Sequence, residues 1–447
     1  MDWRPSIGDK VQTPDFGPGR VVGVSATRAL VALDDLNDRI VSYRIIELKG
    51  LIQRQVEPLH EDRMKEPALD GAAQEPTVVT DGLALRAVEA MRFGLVPEVF
   101  IEKATLGFDD LSRWIESYLP HERGRTSVCE VTGPFGAGKS HAMAVVRYVA
   151  ARKGYAVARV EVDGSRVSLS DPAALLCALW STLTVDGRVS STPLIDLYVR
   201  AIERCGECPR ELRRFETIAT VYDLVAELMR RGTLEEHKVD LDAFVSSCSN
   251  ITATELSNRF GWRLRSLIRW SPTEKRSDDF VESLTGHATL VKHAGYQGLV
   301  ITVDEFEVEY LRGERWRRAE NAVAALERYL TGGLIPPVDP LSLFIATVGQ
   351  EGEETDPAVC RLVEASAGSV WPLRNFYVDQ QVNHAMDLFK LYATSYGIED
   401  RPFSELKRAI RECAIDLATN ESGASRSFIK SVISLYDQGY GPPDHGE

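Results

Sequence analysis

No apolar run in the chain approaches the roughly 20 residues that a bilayer-crossing helix needs. The first residues, MDWRPSIGDK, lack a basic stretch followed by an apolar one, so no secretion signal is visible and the cytoplasm is the expected compartment. Cysteine is sparse, and seven in 447 residues do not make a disulfide framework. The closest pair, Cys205 and Cys208 in CGEC, has no second ligand pair at zinc spacing. It follows the helical pattern LIDLYVRAIER instead of capping a strand as a redox motif would, so structural or incidental thiols are expected. Positive charge is not in excess either. A net charge of −14 disfavours a surface coated for nucleic acid, and any DNA contact must be focused on a local groove. Internal repeats and low-complexity tracts are lacking as well.

What remains is an ordinary globular composition, 44% hydrophobic and 26% charged, in a chain long enough for about two or three domains. Residues 1–51 hold short β-branched runs broken by Gly17-Pro18-Gly19 and by Asp34 to Asp38, which are natural turns. This stretch resembles the small SH3- or Tudor-like barrels, interaction modules that bind protein or nucleic acid. Its seven acids and seven bases balance, so charge does not choose between those partners. Residues 52–82 are rich in Pro, Glu and Asp without apolar periodicity, the composition of a linker.

From residue 83 onward, helical and strand patterns alternate. LALRAVEAMRFGLVPEVF has helical spacing and stops at Gly94 and Pro97, and DDLSRWIESYLP is a second helix. SVCEVT, YAVARVEVD (155–163), GLVITVDEFE (298–307) and LSLFIATVG (341–349) are buried runs of strand length. Strands alternating with helices predict a mostly parallel sheet covered on both faces. Residues 164–297 are too long for a plain crossover and read as a helical insertion within an 83–377 domain. VNHAMDLFKLYATSYG and SFIKSVISLYDQGYG make 378–447 a helical C-terminal subdomain with a short polar tail.

The stretch GPFGAGKS, Gly133 to Ser140, fits G-x-x-x-x-G-K-[ST], with a predicted strand before it and a predicted helix from His141 after it. Gly133, Gly136 and Gly138 let the backbone curl through Pro134, Phe135 and Ala137 so that its N–H groups face a phosphate chain. Lys139 supplies a point charge, Ser140 a hydroxyl for Mg²⁺, and the helix start at His141 the positive end of a dipole. These residues are the candidate ATP site. The apolar strand GLVITVDEFE ends in Asp304, a candidate Mg²⁺ ligand, and Glu305, a candidate base for the attacking water. Four acids there (Asp304, Glu305, Glu307 and Glu309) also admit a solvated acidic turn. LRGERWRR, with Arg312, Arg315, Arg317 and Arg318 around Trp316, suits either a nucleic-acid backbone or, more often, the polar face of a helix paired to Glu309, Glu314 and Glu320.

This order of loop, intervening strand and acidic strand resembles the additional-strand, catalytic-glutamate branch of P-loop ATPases and, within it, AAA+ and STAND-type proteins. The resemblance implies that Thr347, at the end of LSLFIATVG, contacts the γ-phosphate or the water. It also implies that Arg426 in GASRSFIKSVISLYD reports on the γ-phosphate, and that Arg361 in DPAVCRLVEA sits where a neighbouring subunit's site would be completed in a homo-oligomer. Strand capping and surface ion pairs account for the same three residues. On RAVEAMRFGLVP, GPFGAGKSHAM, VITVDEFE, LSLFIATVG and ASRSFIK, residues 83–437 resemble the ATP-binding proteins of BREX-type phage-defence operons. The likeness implies action beside a DNA methyltransferase and other operon products, with DNA engaged directly or through them. The N-terminal barrel and linker stand outside it. A STAND-like regulator that uses the barrel to bind a transcription or signalling protein is the alternative, and a small-molecule kinase is a third class that Glu305 argues against.

Overall fold

β-branched runs separated by turn residues build the first of two compact units, Met1–Pro76; the second is Thr77–Glu447. The computed structural model describes residues 10–13, 17–24, 28–33, 40–44, 52–53, 82–97, 99–119, 126–162, 167–185, 188–246, 253–262, 273–306, 314–331, 341–349, 357–366, 368–373, 376–398, 405–420 and 424–440; for residues up to 53 and for 188–189, 253, 273–277, 314–319, 418–420 and 424–426 it describes the backbone alone. In the first unit β1 (Lys10–Thr13), β2 (Gly17–Val24), β3 (Arg28–Leu33), β4 (Ile40–Arg44) and β5 (Ile52–Gln53) form one antiparallel sheet in the order β4-β3-β2-β1-β5. β5 falls at the start of the segment read as linker, most of which lies outside the described residues.

The second unit begins with α1 (Gly82–Arg92), α2 (Ile101–Ala104) and α3 (Phe108–Tyr118), followed by β6 (Thr126–Gly133), α4 (Lys139–Arg152) and β7 (Ala156–Glu161). Next come α5 (Pro172–Ser181), the small strands β8 (Thr184–Val185) and β9 (Arg188–Val189), α6 (Pro193–Cys205), α7 (Glu216–Arg231), α8 (Leu234–Val245), α9 (Ala253–Phe260) and α10 (Thr273–His293). The chain then returns to the sheet with β10 (Leu299–Asp304), α11 (Glu314–Leu330), β11 (Leu341–Val348), α12 (Pro357–Ser366) and β12 (Val370–Pro372), and ends in α13 (Val378–Tyr396), α14 (Leu406–Asn420) and α15 (Ala424–Tyr440). The seven strands run in the order β12-β6-β11-β10-β7-β8-β9, with the first five parallel and the β8–β9 pair antiparallel. The protein is thus α/β with a mostly parallel mixed sheet.

Alternation along the central strands explains why they read as unbroken apolar runs. Cys129, Val131, Phe344 and Ala346 pack with Val157 and Val300 under Ala142, Met143, Val146 and Val149 of α4. Their neighbours Val128, Leu343 and Ile345 point the other way, into a core shared with α5–α8 and α10–α12. Both faces are covered, so nearly every position of β6 and β11 is a buried one. The helices between β7 and β10 belong to this second core and do not form a lobe of their own.

A third core joins the two ends of the unit. Ala84, Ala87, Val88 and Met91 fall at helical spacing on α1 and pack with Val382, Leu388, Phe389 and Tyr392 of α13 and Val432, Ile433 and Tyr436 of α15. At its edge the Arg92 guanidinium donates from Nε to Asp437 at 3.1 Å and from Nη2 to Asp437 at 2.7 Å and to Tyr396 Oη at 2.8 Å, and it also meets Glu89. Burial opposes charge on Arg92, but the Asp437, Glu89 and Tyr396 hydrogen bonds outweigh it and raise its pKa. Cys177 of α5 is disulfide-bonded, which the sparse cysteine pattern does not announce, while Cys205 and Cys208 are free thiols. Among the described residues no helix is long and apolar enough to cross a membrane.

Candidate nucleotide-binding site

The carboxyl ends of the parallel strands converge, and strand register fixes which residues meet there. Thr347 of β11 pairs with Thr132 of β6, and Val348 pairs with Gly133, where the glycine loop begins. On the other side of β11, Ile345 pairs with Val303, so Asp304 and Glu305 fall level with Ala346 and Thr347. Asp304 in turn pairs with Glu161 on β7. The loop, the acidic pair and Thr347 therefore occupy one rim of the sheet, the edge at which parallel α/β sheets receive ligands.

Glycine is required in the loop for two separate reasons. A Cβ on Gly133 would stand 3.0 Å from Leu373 Cβ and 3.3 Å from Ala137 Cβ, so nothing larger fits without movement. Gly138, with φ +101°, turns the chain into α4 in the left-handed region that L-residues avoid. The first turn of α4 carries no acidic side chain that would compete with a ligand for the helix's N-terminal end. Lys139, only 8% exposed, donates from Nζ to the carbonyls of Gly133 at 3.2 Å and Pro134 at 3.3 Å, and its charge lies 5.1 Å from the centre of the Phe135 ring. Phe135 itself is 72% exposed at the loop tip. Ser140 is exposed beside it. A tight glycine loop, a lysine folded over it and a helix start free of acids fit a polyphosphate chain.

His141 departs from the other loop residues. Its ring Nε2 makes a 2.6 Å hydrogen bond with the Thr105 hydroxyl, so its side chain faces the α2 turn and only its backbone remains for a phosphate. Burial, reinforced by nearby His384 of α13, pushes the His141 pKa down to about 4, and burial does the same to His384. Both rings are neutral near pH 7.

At the end of β10 the Glu305 backbone N–H donates to Asp304 Oδ1 at 3.0 Å. Glu305 is exposed and adopts φ +57°, an uncommon left-handed conformation for a glutamate. Thr347 is 2% exposed, and its hydroxyl donates to the carboxylate of Glu130, a fully buried acid on β6. Glu130 is absent from the sequence-based set because one acid inside SVCEVT reads as a strand position. Arg361 pairs with Glu327 of α11 at 3.5 Å on the surface. Arg426 lies in the first turn of α15 with its side chain outside the described residues, as do Arg312 and the side chains of Arg315, Arg317 and Arg318. Among the described residues no group of three or more His, Cys, Asp or Glu is placed to hold a metal ion. A cation here would rest on Ser140, Asp304 and the nucleotide's own oxygens, as Mg²⁺ commonly does.

A parallel sheet that delivers a G-x-x-x-x-G-K-S loop from a buried strand into a helix is the nucleotide-binding core of the P-loop class. Within that class, residues 84–235 match the family described as BREX system ATP-binding protein BrxC/D. The matched segment takes in α1 and the phosphate loop and ends before β10 and β11. No curated protein matches the chain.

Proposed function

We propose that the chain binds ATP on Gly133–Ser140 and hydrolyses it with Mg²⁺, as a switch or motor of a BREX-type phage-defence complex acting on foreign DNA. The family match supports the ATP-binding and defence parts of this reading. The observation that carries hydrolysis is the register of three strand ends. β11 stands between the phosphate-loop strand and the acidic strand, and brings Thr347 level with Thr132, the residue just before Gly133, on one side and with the end of β10 at Glu305 on the other. This interposed strand is the feature that names the additional-strand branch. Lys139 and the loop amides would bind the β- and γ-phosphates, while Glu305 would take a proton from water. Mg²⁺, held by Ser140 and Asp304, would neutralise phosphate charge. Arg426 is a further candidate for sensing the γ-phosphate, and Arg361 for serving a neighbouring copy.

The test is ATP turnover by the purified chain with Mg²⁺, alone and with its operon partners, beside a phage-plating assay. Lys139→Ala is expected to lose ATP binding and protection. Glu305→Gln is expected to bind ATP and lose turnover. Full protection by Lys139→Ala, or turnover that survives Glu305→Gln, refutes the reading. A second reading draws on the separate antiparallel unit of Met1–Pro76, which suits a regulator that docks a protein partner through a small barrel. Pull-downs with the full chain in ADP and in ATP separate the two. Recovery of transcription components in a nucleotide-dependent way, with negligible turnover, favours the regulator.

A further inference from the structure

Glu130 is the buried acid that the phosphate-binding parts do not use. It is 0% exposed, three residues before Gly133 on a central strand, and its backbone is tied to β12 through a 2.9 Å hydrogen bond from its N–H to Ser369 O. Its directly paired residue on β11 is Ile345. Thr347 is two residues further along the same strand and therefore on the same face, at the diagonal distance a glutamate can span. The hydroxyl of Thr347 donates to Glu130 Oε1 across that diagonal. A carboxylate in a sheet interior costs stability even when hydrogen-bonded, and an apolar residue would pack there at lower cost.

The direction of this bond decides what Thr347 can offer the site. A threonine hydroxyl has one hydrogen to donate and two lone pairs. With the hydrogen committed to Glu130, only lone pairs remain. Phosphate oxygens of ATP accept and do not donate, whereas water has two hydrogens to give. We propose that Glu130 is a positioning residue that holds the Thr347 hydroxyl as an acceptor, so that Thr347 binds the attacking water and not the γ-phosphate. The inference rests on the hydrolytic reading above. In that arrangement the water is held by Thr347 while Glu305, one strand away and level with it, removes the proton.

The experiment is steady-state ATP turnover with Mg²⁺ and nucleotide binding by the full chain, in wild type and in E130L, E130Q, T347V and T347S. E130L frees the Thr347 hydrogen, which then turns to a phosphate oxygen. Expected are a fall in kcat of about ten-fold or more and ATP affinity that is unchanged or tighter. E130Q keeps an acceptor oxygen in the same place and should retain more turnover than E130L. T347S should retain turnover and T347V should lose it. Because Glu130 acts through Thr347, the E130L/T347V double variant should be no slower than T347V alone. Melting temperatures identify any variant that fails to fold, and the serine and glutamine variants then carry the test. Wild-type kcat in E130L, or losses that multiply in the double variant, overturns the proposal while leaving the ATPase reading intact. A wild-type chain that binds ATP and never turns it over with its partners present refutes the hydrolytic reading, and this inference falls with it.

Discussion

Replacing Glu305 by glycine should make the protein more stable and inactive at once. The residue holds φ +57° at the end of β10, where an L-side chain costs about 1–2 kcal/mol relative to ordinary backbone. Glycine removes that cost but brings back about 0.4–1 kcal/mol of chain entropy in the unfolded state. Glu305 is exposed, so little packing is lost, and the backbone N–H that meets Asp304 is kept. The net expectation is a gain of about 0.5–1 kcal/mol. Alanine is the decisive control, because it deletes the same carboxylate and keeps the strained φ. E305G should therefore exceed E305A by about 1 kcal/mol, read as a higher urea midpoint and slower amide exchange over Leu299–Asp304. Both variants should lack turnover. Equal stability of E305G and E305A would refute the claim that backbone strain is stored at this strand end.

Arg92→Ala should destabilise the chain by roughly 2–3 kcal/mol, since Asp437 loses a two-point partner in a site only about a quarter exposed and keeps the Tyr392 hydroxyl, at 2.9 Å, as a donor; denaturant unfolding reads this directly. Asp242, whose carboxylate accepts from the N–H groups of Leu194 and Ile195 at the start of α6, is pushed up to about 6 by burial. A folded pKa above the unfolded value of 3.8 means that its contribution falls as pH rises from 3.8 to 6, so Asp242→Asn should match or exceed wild-type stability at pH 7 and show no gain at pH 4. His287 is fully buried and held down to about 4, with its Nδ1 2.8 Å from the Ser283 carbonyl. Here the unfolded state takes protons that the fold refuses between pH 6.5 and 4, so stability falls as pH drops through that window, by on the order of 3 kcal/mol. Acid titrations of wild type and His287→Gln, followed by near-UV circular dichroism, should show a shallower acid limb in the variant.

The central strands were legible because burial on both faces leaves few polar positions to confuse the pattern. β6, β7, β10 and β11 coincide closely with the apolar runs. Helix ends at Gly94, Gly154, Gly232 and Gly397 were equally plain, each with the positive φ that glycine allows. Three features were not legible. β12 is three half-exposed residues whose strand character comes only from pairing with β6. The apolar stripe of α1 announces a helix but not that its partners lie some three hundred residues on, in α13 and α15. The Glu130–Thr347 bond depends on strand register, which no single strand's composition specifies.

The α1 core has a mechanical consequence. The segment arriving from the first unit enters the second through α1, whose buried side chains are held by the last helices and not by the sheet. Tension on that segment is thus applied first to α1, α13 and α15, through the Arg92–Asp437 clasp. α13 also carries His384, which hydrogen-bonds to the backbone of Ala104 in α2 and lies near His141, the residue next to Ser140. Packing and hydrogen bonds thus link α1 to α13, α13 to α2, and α2 to the residue beside Ser140, a connection made of helices and their side chains.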